Sequence, residues 1–333
     1  MSRRGGSIAA VKTVGEVGER ALIAMFTAAA KTGPGDVVIG SGDDAAVFAP
    51  TGPVVVSTDT AVAGRHFRFD WSSPRQIGAR AVVQSAADIA AMGGVPTGVV
   101  VSIGCPPTTP VDRVLEVNAG IVAQSHAYRA RVLGGDLVSS AEVVLTVTSL
   151  GVLDGTDAVA LSGARAGDVL AVSGPLGGPA GGLAALAAVE HGAQPDLLDA
   201  YPSLVEDYRL PQPDLAQGRV AALAGAHAMT DVSDGLVEEL ITLSAASQVR
   251  LDVDSARVPQ ARGLAGLGRA LGVDPLRWAL GGGEEHELLA TFAPGSVPAG
   301  WTVIGRVSAG EAGAWIDDAP VGEIRGWQSF TDT

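Results

Sequence analysis

The chain has 333 residues, 47% of them hydrophobic and 17% charged, enough apolar material for about two domains with a sizeable core and too much for a disordered chain. A formal charge of −14 excludes the basic stripe of a nucleic-acid-binding surface. Lys12 and Lys31 are the only lysines, which excludes a Walker A loop, a Schiff-base lysine and a kinase-type phosphate lysine from everything that follows.

Although "MSRRGG" faintly resembles a twin-arginine signal, Lys12, Glu16, Glu19 and Arg20 come before the next apolar run. That run, "ALIAMFTAAA" (21–30), is too short to span a bilayer and reads as the face of a helix over 15–31, ended by "KTGPGD". The expectation is a soluble, cytoplasmic protein that binds neither membrane nor nucleic acid. β-Branched runs predict strands at 37–40 and 54–59. A helix is expected over 73–94, opened by Ser-Pro and closed by Gly-Gly. A strand at 97–104, a helix at 110–128 and a long strand at 141–153 follow. Cys105 is the single cysteine, so an intramolecular disulfide and a thiolate cluster are excluded; it reads as a small core residue in a reducing compartment.

A boundary near 155–160 divides the chain into 1–157 and 158–333. Beyond it come a strand at 169–174, a helix at 178–192 and a proline-punctuated connection over 201–218. A strand–helix unit over 228–247 precedes a strand at 249–254, a helix near 261–271 and strands at 286–293 and 301–307. Alternation of strands and helices in both halves predicts an α/β or α+β architecture.

The acidic residues are not scattered. Asp43 and Asp44 sit side by side in "GSGDDAAVF", Asp59 in "STDT", Asp136 in "LGGDL", and Asp231 and Asp234 in "TDVSDGL", all in small-residue turns or at predicted strand ends. Asp88 lies in the otherwise uncharged "QSAADIAAMGG", where burial without a partner is costly. Singly, each reads as a turn former or helix cap. Together, in a chain so short of lysine, they point to Mg²⁺, which bridges carboxylates to substrate phosphates. The glycine-rich "SGPLGGPAGGLAAL" (173–186) offers backbone N–H groups to an anion at a helix start, although such turns also occur for packing alone. His66 in "AGRHF" follows the Asp59 turn, and "GGGEEHELL" (281–289) runs from glycines into acidic residues and a strand.

In this order, "GSGDDAAVF", "VSTDTAVAGRHF", "ADIAAMGGVP", "LGGDL", "LSGARAGD", "DVSDGL" and "GGGEEHELL" resemble the thiamine-monophosphate kinase family. That family lies in the ATP-binding superfamily of aminoimidazole-ribonucleotide synthetase, selenophosphate synthetase and the hydrogenase-maturation dehydratase. The resemblance implies Mg²⁺-dependent transfer of the γ-phosphoryl of ATP onto thiamine monophosphate, giving thiamine diphosphate, the last step in making that cofactor. It implies a two-domain fold of the aminoimidazole-ribonucleotide-synthetase type, with an N-terminal sheet that builds a barrel-like homodimer interface. Carried over by position, Asp44, Ser57, Thr58, Asp59, Asp88, Asp136, Asp231 and Asp234 would be metal ligands. Gly135, Asp136 and Ser233 would lie against ATP, and His66, Glu284 and Trp327 would contact thiamine monophosphate. No protein nucleophile is implied. Leu161 stands where the family often has an arginine, and Glu285 and His286 replace an Asp–Tyr pair. The competing readings are another ATP-dependent member of the superfamily and a non-catalytic Mg-nucleotide-binding protein.

Overall fold

Two sheets and the long helix between them position everything that follows. The computed structural model describes residues 11–30, 37–41, 45–322 and 324–327. From the N-terminus run α1 (Val14–Val17), α2 (Glu19–Ala30), β1 (Val37–Ile39), β2 (Val47–Phe48), β3 (Val54–Val62), α3 (Pro74–Ala91), β4 (Val95–Cys105), α4 (Val111–Ala127), β5 (Arg131–Ser139) and β6 (Val144–Val152). Then come β7 (Val169–Val172), α5 (Gly178–Glu190), α6 (Asp196–Ala200), α7 (Pro202–Arg209), α8 (Ala216–Leu223), β8 (Ala228–Asp231) and α9 (Leu236–Ser247). The chain closes with β9 (Arg250–Val253), α10 (Leu264–Leu271), α11 (Pro275–Gly281), β10 (Leu288–Phe292), β11 (Thr302–Ser308), β12 (Gly313–Ile316) and β13 (Ala319–Pro320).

The first large sheet has the order β3-β6-β4-β5, with β4 and β5 parallel and the other pairs antiparallel. The second has the order β13-β12-β9-β11-β7-β10-β8 and is antiparallel except for β9 and β12. α3 starts on a Ser73 capping box with Pro74 in the first turn. It is buried along nearly its whole length because it packs on α4, β3 and β6 and also reaches α8 and β8 of the second half. Ala86, Ala87, Ala90 and Ala91 of α3 join Met229, Leu288 and Phe292 in one apolar cluster, so the two halves share a core. On the other face of the first sheet, Val54, Val56, Val100 and Val138 stay 40–59% exposed.

Several expected elements take a different form. The helix expected over 15–31 breaks into α1 and α2 at Gly18, whose φ of 81° is a left-handed conformation. β5 reads as a turn in sequence because of Gly134 and Gly135, yet it is a nine-residue strand. The glycine is needed there: a Cβ on Gly135 would stand 2.0 Å from the Val101 carbonyl of β4. The connection expected over 201–218 holds α7 and the start of α8, because Pro202 initiates a helix at its first turn rather than breaking one.

Candidate active site

β3 alternates in and out, so Ser57 and Asp59 face α3 while Thr58 and Thr60 face away. Thr58 and Thr60 pair across the strand with Thr148 (3.0 Å) and Thr146 (2.9 Å). α3 brings Asp88 to meet them, and the Ser57 hydroxyl donates to Asp88 Oδ2. Asp231 ends β8, and the turn into α9 carries Ser233 and Asp234. Asp59, Asp88, Asp231 and Asp234, with Gln84, Ser233 and His286 among their neighbours, line one cavity of about 230 Å³ between the two halves. His66, Glu284 and Trp327 line it too, and among the described residues no lysine or arginine does.

Crowded carboxylates in a half-buried site resist ionisation. Burial, with the Asp231 charge next in weight, pushes Asp88 up to about 7. Burial and the Asp231 charge also raise Asp59, although His286 pulls the other way, and burial with the Glu284 charge raises Asp234. Asp59 Oδ2 is buried without a hydrogen-bond partner. Such a set is costly alone, and its oxygens are the kind that could hold a hard cation. Among the described residues, no three His, Cys, Asp or Glu side chains converge into a ready-made metal cage.

Behind Ser233 and Asp234, Glu239 of α9 accepts from Ser233 Oγ and Asp234 N, both at 3.3 Å. Burial pushes it up to about 7. The C-terminal segment is tied to the same turn: Trp327 N donates to Asp234 O (3.0 Å) and Gly326 N to Glu238 Oε1 (3.0 Å).

His66, Glu284 and Trp327 also line a second, adjoining pocket of about 340 Å³. Its walls include Trp71, Tyr208, Leu183, Arg68 and Arg80. Trp71 and Tyr208 meet edge to face with centroids 6.0 Å apart, and Trp327 approaches the His66 ring edgewise at 6.2 Å. His66 Nδ1 accepts the Val62 N–H at 3.0 Å, so Nε2 is the nitrogen left to meet a ligand. Arg80 of α3 is buried and binds Glu284 Oε2 at 2.6 Å and the Tyr208 carbonyl at 3.1 Å. Burial alone would raise Glu284, but the Arg80 guanidinium and then His286 outweigh it and hold the carboxyl below its usual range.

Of the residues expected from sequence, Ser57, Asp59, Asp88, Asp231, Ser233, Asp234, His66, Glu284 and Trp327 therefore gather at one place. Asp43 and Asp44 lie outside the described residues. The Thr58 side chain points to the opposite face of β3, where its hydroxyl pairs with that of Thr148. Gly135 and Asp136 line a different, smaller cavity of about 60 Å³ beneath Ile23 and Phe26 of α2. Arg165, four residues after Leu161, lies beside His227 (3.4 Å), just before β8.

One amide at the glycine-rich start of α5 is already occupied, while Pro179 and Ala180 of the same start line the aromatic pocket. Gly177 N donates to Glu285 Oε1 at 2.6 Å, so the chain's own carboxyl takes the position a phosphate would use. Sequence reasoning missed Arg80, Gln84, Trp71, Tyr208 and Glu239. Arg80 carried the same signal as Asp88, a lone charge in an apolar helix, and at eight residues' spacing it falls on the same side of α3.

Residues 42–153 match the family described as AIR synthase related protein, N-terminal domain, and residues 165–316 match its C-terminal domain. A thiamine-monophosphate kinase of Mycobacterium tuberculosis is 42% identical over 96% of this chain and 93% of its own length. One from Corynebacterium glutamicum is 39% identical over 96% and 95%. A solved structure described as AaThiL complexed with AMPPCP and TMP superposes with a TM-score of 0.76 at 27% identity, covering 95% of this chain and 98% of that one. A hydrogenase maturation protein HypE shares the fold at a TM-score of 0.67 and 18% identity.

Proposed function

This chain belongs to the thiamine-monophosphate kinases of the AIR synthase related family, and we propose that it transfers the γ-phosphoryl of ATP directly onto the phosphate of thiamine monophosphate. One observation carries the reading: four aspartates gather in a cavity that, among the described residues, no lysine or arginine lines, and that cavity adjoins an aromatic pocket through shared His66, Glu284 and Trp327. The first cavity suits polyphosphate held through cations. The second suits a flat heteroaromatic cation, with ring faces on its walls and a carboxylate kept ionised by Arg80.

Asp59, Asp88, Asp231 and Asp234 would hold Mg²⁺ here, with Ser57 fixing Asp88; Asp44, the Thr58 backbone and Asp136 complete the set by resemblance. When bound, Mg²⁺ neutralises phosphate charge and lets two anions approach. The protein's own share is placement. Ser233 lies against ATP, whereas Gly135 and Asp136 on β5 line a separate cavity and join the ATP set by resemblance alone. His66, through Nε2, and Glu284 face thiamine monophosphate, and Trp327 takes one ring face. A thiamine-monophosphate oxygen attacks the γ-phosphorus as the β–γ bridge breaks, leaving ADP, so no enzyme nucleophile is needed. Cys105 is buried in the first-sheet core, which agrees with that.

The exposed valines of the first sheet support pairing of two copies through that face, with residues 1–157 forming the pairing and metal-binding half and 158–333 completing the site. Among the described residues no helix is long and apolar enough to cross a membrane. Purified protein given ATP, thiamine monophosphate and Mg²⁺ is expected to form thiamine diphosphate, and to stop when Mg²⁺ is chelated. ATP turnover indifferent to thiamine monophosphate would overturn the reading.

A further inference from the structure

His286 is the most enclosed polar side chain at the junction of the two pockets, 1% exposed, and the proposed chemistry does not use it. Its Nδ1 donates to Asp231 Oδ2 at 3.0 Å. Its Nε2 is buried without a hydrogen-bond partner and stands 3.9 Å from Glu284 Oε2, the oxygen that Arg80 holds at 2.6 Å. The ring thus lies between a carboxylate of the metal cavity and the carboxylate shared with the aromatic pocket. Nδ1 is engaged by Asp231 and Nε2 faces Glu284 with no hydrogen-bond partner of its own, so one rigid ring bridges the two carboxylates.

The backbone delivering the ring is held in an unfavourable shape. Gly283, Glu284 and His286 have φ of 79°, 67° and 56°, left-handed values that cost non-glycine residues about 1–3 kcal/mol each. What holds the hook is the Asp231–Gly235 turn: Glu284 N donates to Ser233 O (2.7 Å) and His286 N to Val232 O (3.0 Å). Movement of Glu284 is therefore felt at the metal-side aspartates through two routes, the backbone and the imidazole.

Resting on the functional reading above, we infer that His286 is a positioning residue that couples the pockets. A ligand drawing Glu284 closes the 3.9 Å gap to Nε2, and the imidazole then fixes Asp231 for the metal–nucleotide complex. Thiamine monophosphate and Mg·nucleotide bind with positive, reciprocal coupling, carried by a side chain enclosed between their two sites.

The test is calorimetric titration of Mg·AMPPCP, a nucleotide that cannot transfer, with and without saturating thiamine monophosphate. Wild-type protein is expected to bind Mg·AMPPCP roughly tenfold more tightly with thiamine monophosphate present. His286→Asn keeps a donor towards Asp231 and His286→Gln one towards Glu284, so each breaks the relay at a different end. Both are expected to bind thiamine monophosphate alone within about threefold of wild type, with the coupling factor falling to about one. A merely structural histidine would lower stability and leave the ratio intact. Coupling that persists in either folded variant, or is absent from a wild type that binds both ligands, overturns the inference and spares the functional reading. A wild type that does not bind thiamine monophosphate overturns both.

Discussion

Glu285→Gln separates a buried acid from its charge without changing its shape. The Glu285 side chain is 5% exposed; Oε1 takes the Gly177 N–H at the start of α5, and Oε2 is buried with no partner. Burial pushes its pKa up to about 8, with the Gly177 hydrogen bond opposing only in part. The folded value therefore lies above the unfolded one, near 4.5. Stability from this group is fully present below about pH 4.5 and is lost as pH climbs towards 8, because the unfolded chain releases the proton first. Within that window each pH unit costs up to about 1.4 kcal/mol. Gln keeps the acceptor for Gly177 N and cannot ionise. Chemical unfolding of both proteins at about pH 5.5 and 7.5, followed by tryptophan fluorescence, should show the variant gaining about 2–3 kcal/mol relative to wild type across those two units. Asp88 and Glu239 titrate near the same pH in both proteins and cancel in the difference. A difference that stays flat with pH would refute a neutral, buried Glu285.

Asp59→Asn should lower turnover by orders of magnitude while leaving the melting temperature within a few degrees of wild type, since it removes charge the metal needs and relieves repulsion in the fold; steady-state rates and calorimetry check both halves. Trp327→Ala should raise KM for thiamine monophosphate far more than KM for ATP, and a change confined to ATP would mean the indole faces the other ligand. Arg80→Met strands the Glu284 carboxylate beside buried surface and should cost about 3–5 kcal/mol, of which Glu284→Gln in the same chain should restore a substantial part; the double-mutant cycle by urea unfolding reads it.

Strong periodic signals made much of the scaffold legible. α3 is readable from its Ser-Pro start, apolar run and Gly-Gly end, and Asp231 and Asp234 from the small-residue turn before α9, whereas Asp59 and Asp136 stand inside strands rather than at turns. β5 was not, because two glycines in nine residues look like a turn until β4 is seen to leave no room for a Cβ. The aromatic pocket was not either: Trp71 precedes α3 and Tyr208 lies on α7, 137 positions apart, and only tertiary packing sets them edge to edge. At the glycine-rich start of α5, whether the Gly177 amide faces solvent or Glu285 depends on the loop before β10, over a hundred residues later. Asp136 shares the motif character of Asp59 and Asp88 and yet lies in another cavity, since β5 occupies the far edge of the sheet from β3.

The most direct test follows the phosphoryl group itself. ATP labelled with ¹⁸O in its γ-phosphoryl, thiamine monophosphate and Mg²⁺ are incubated with the protein, and the thiamine diphosphate is weighed by mass spectrometry. Direct transfer predicts one labelled terminal phosphate in every thiamine diphosphate and one ADP for each. Label recovered as free phosphate alongside ADP, with thiamine monophosphate unchanged, would contradict it.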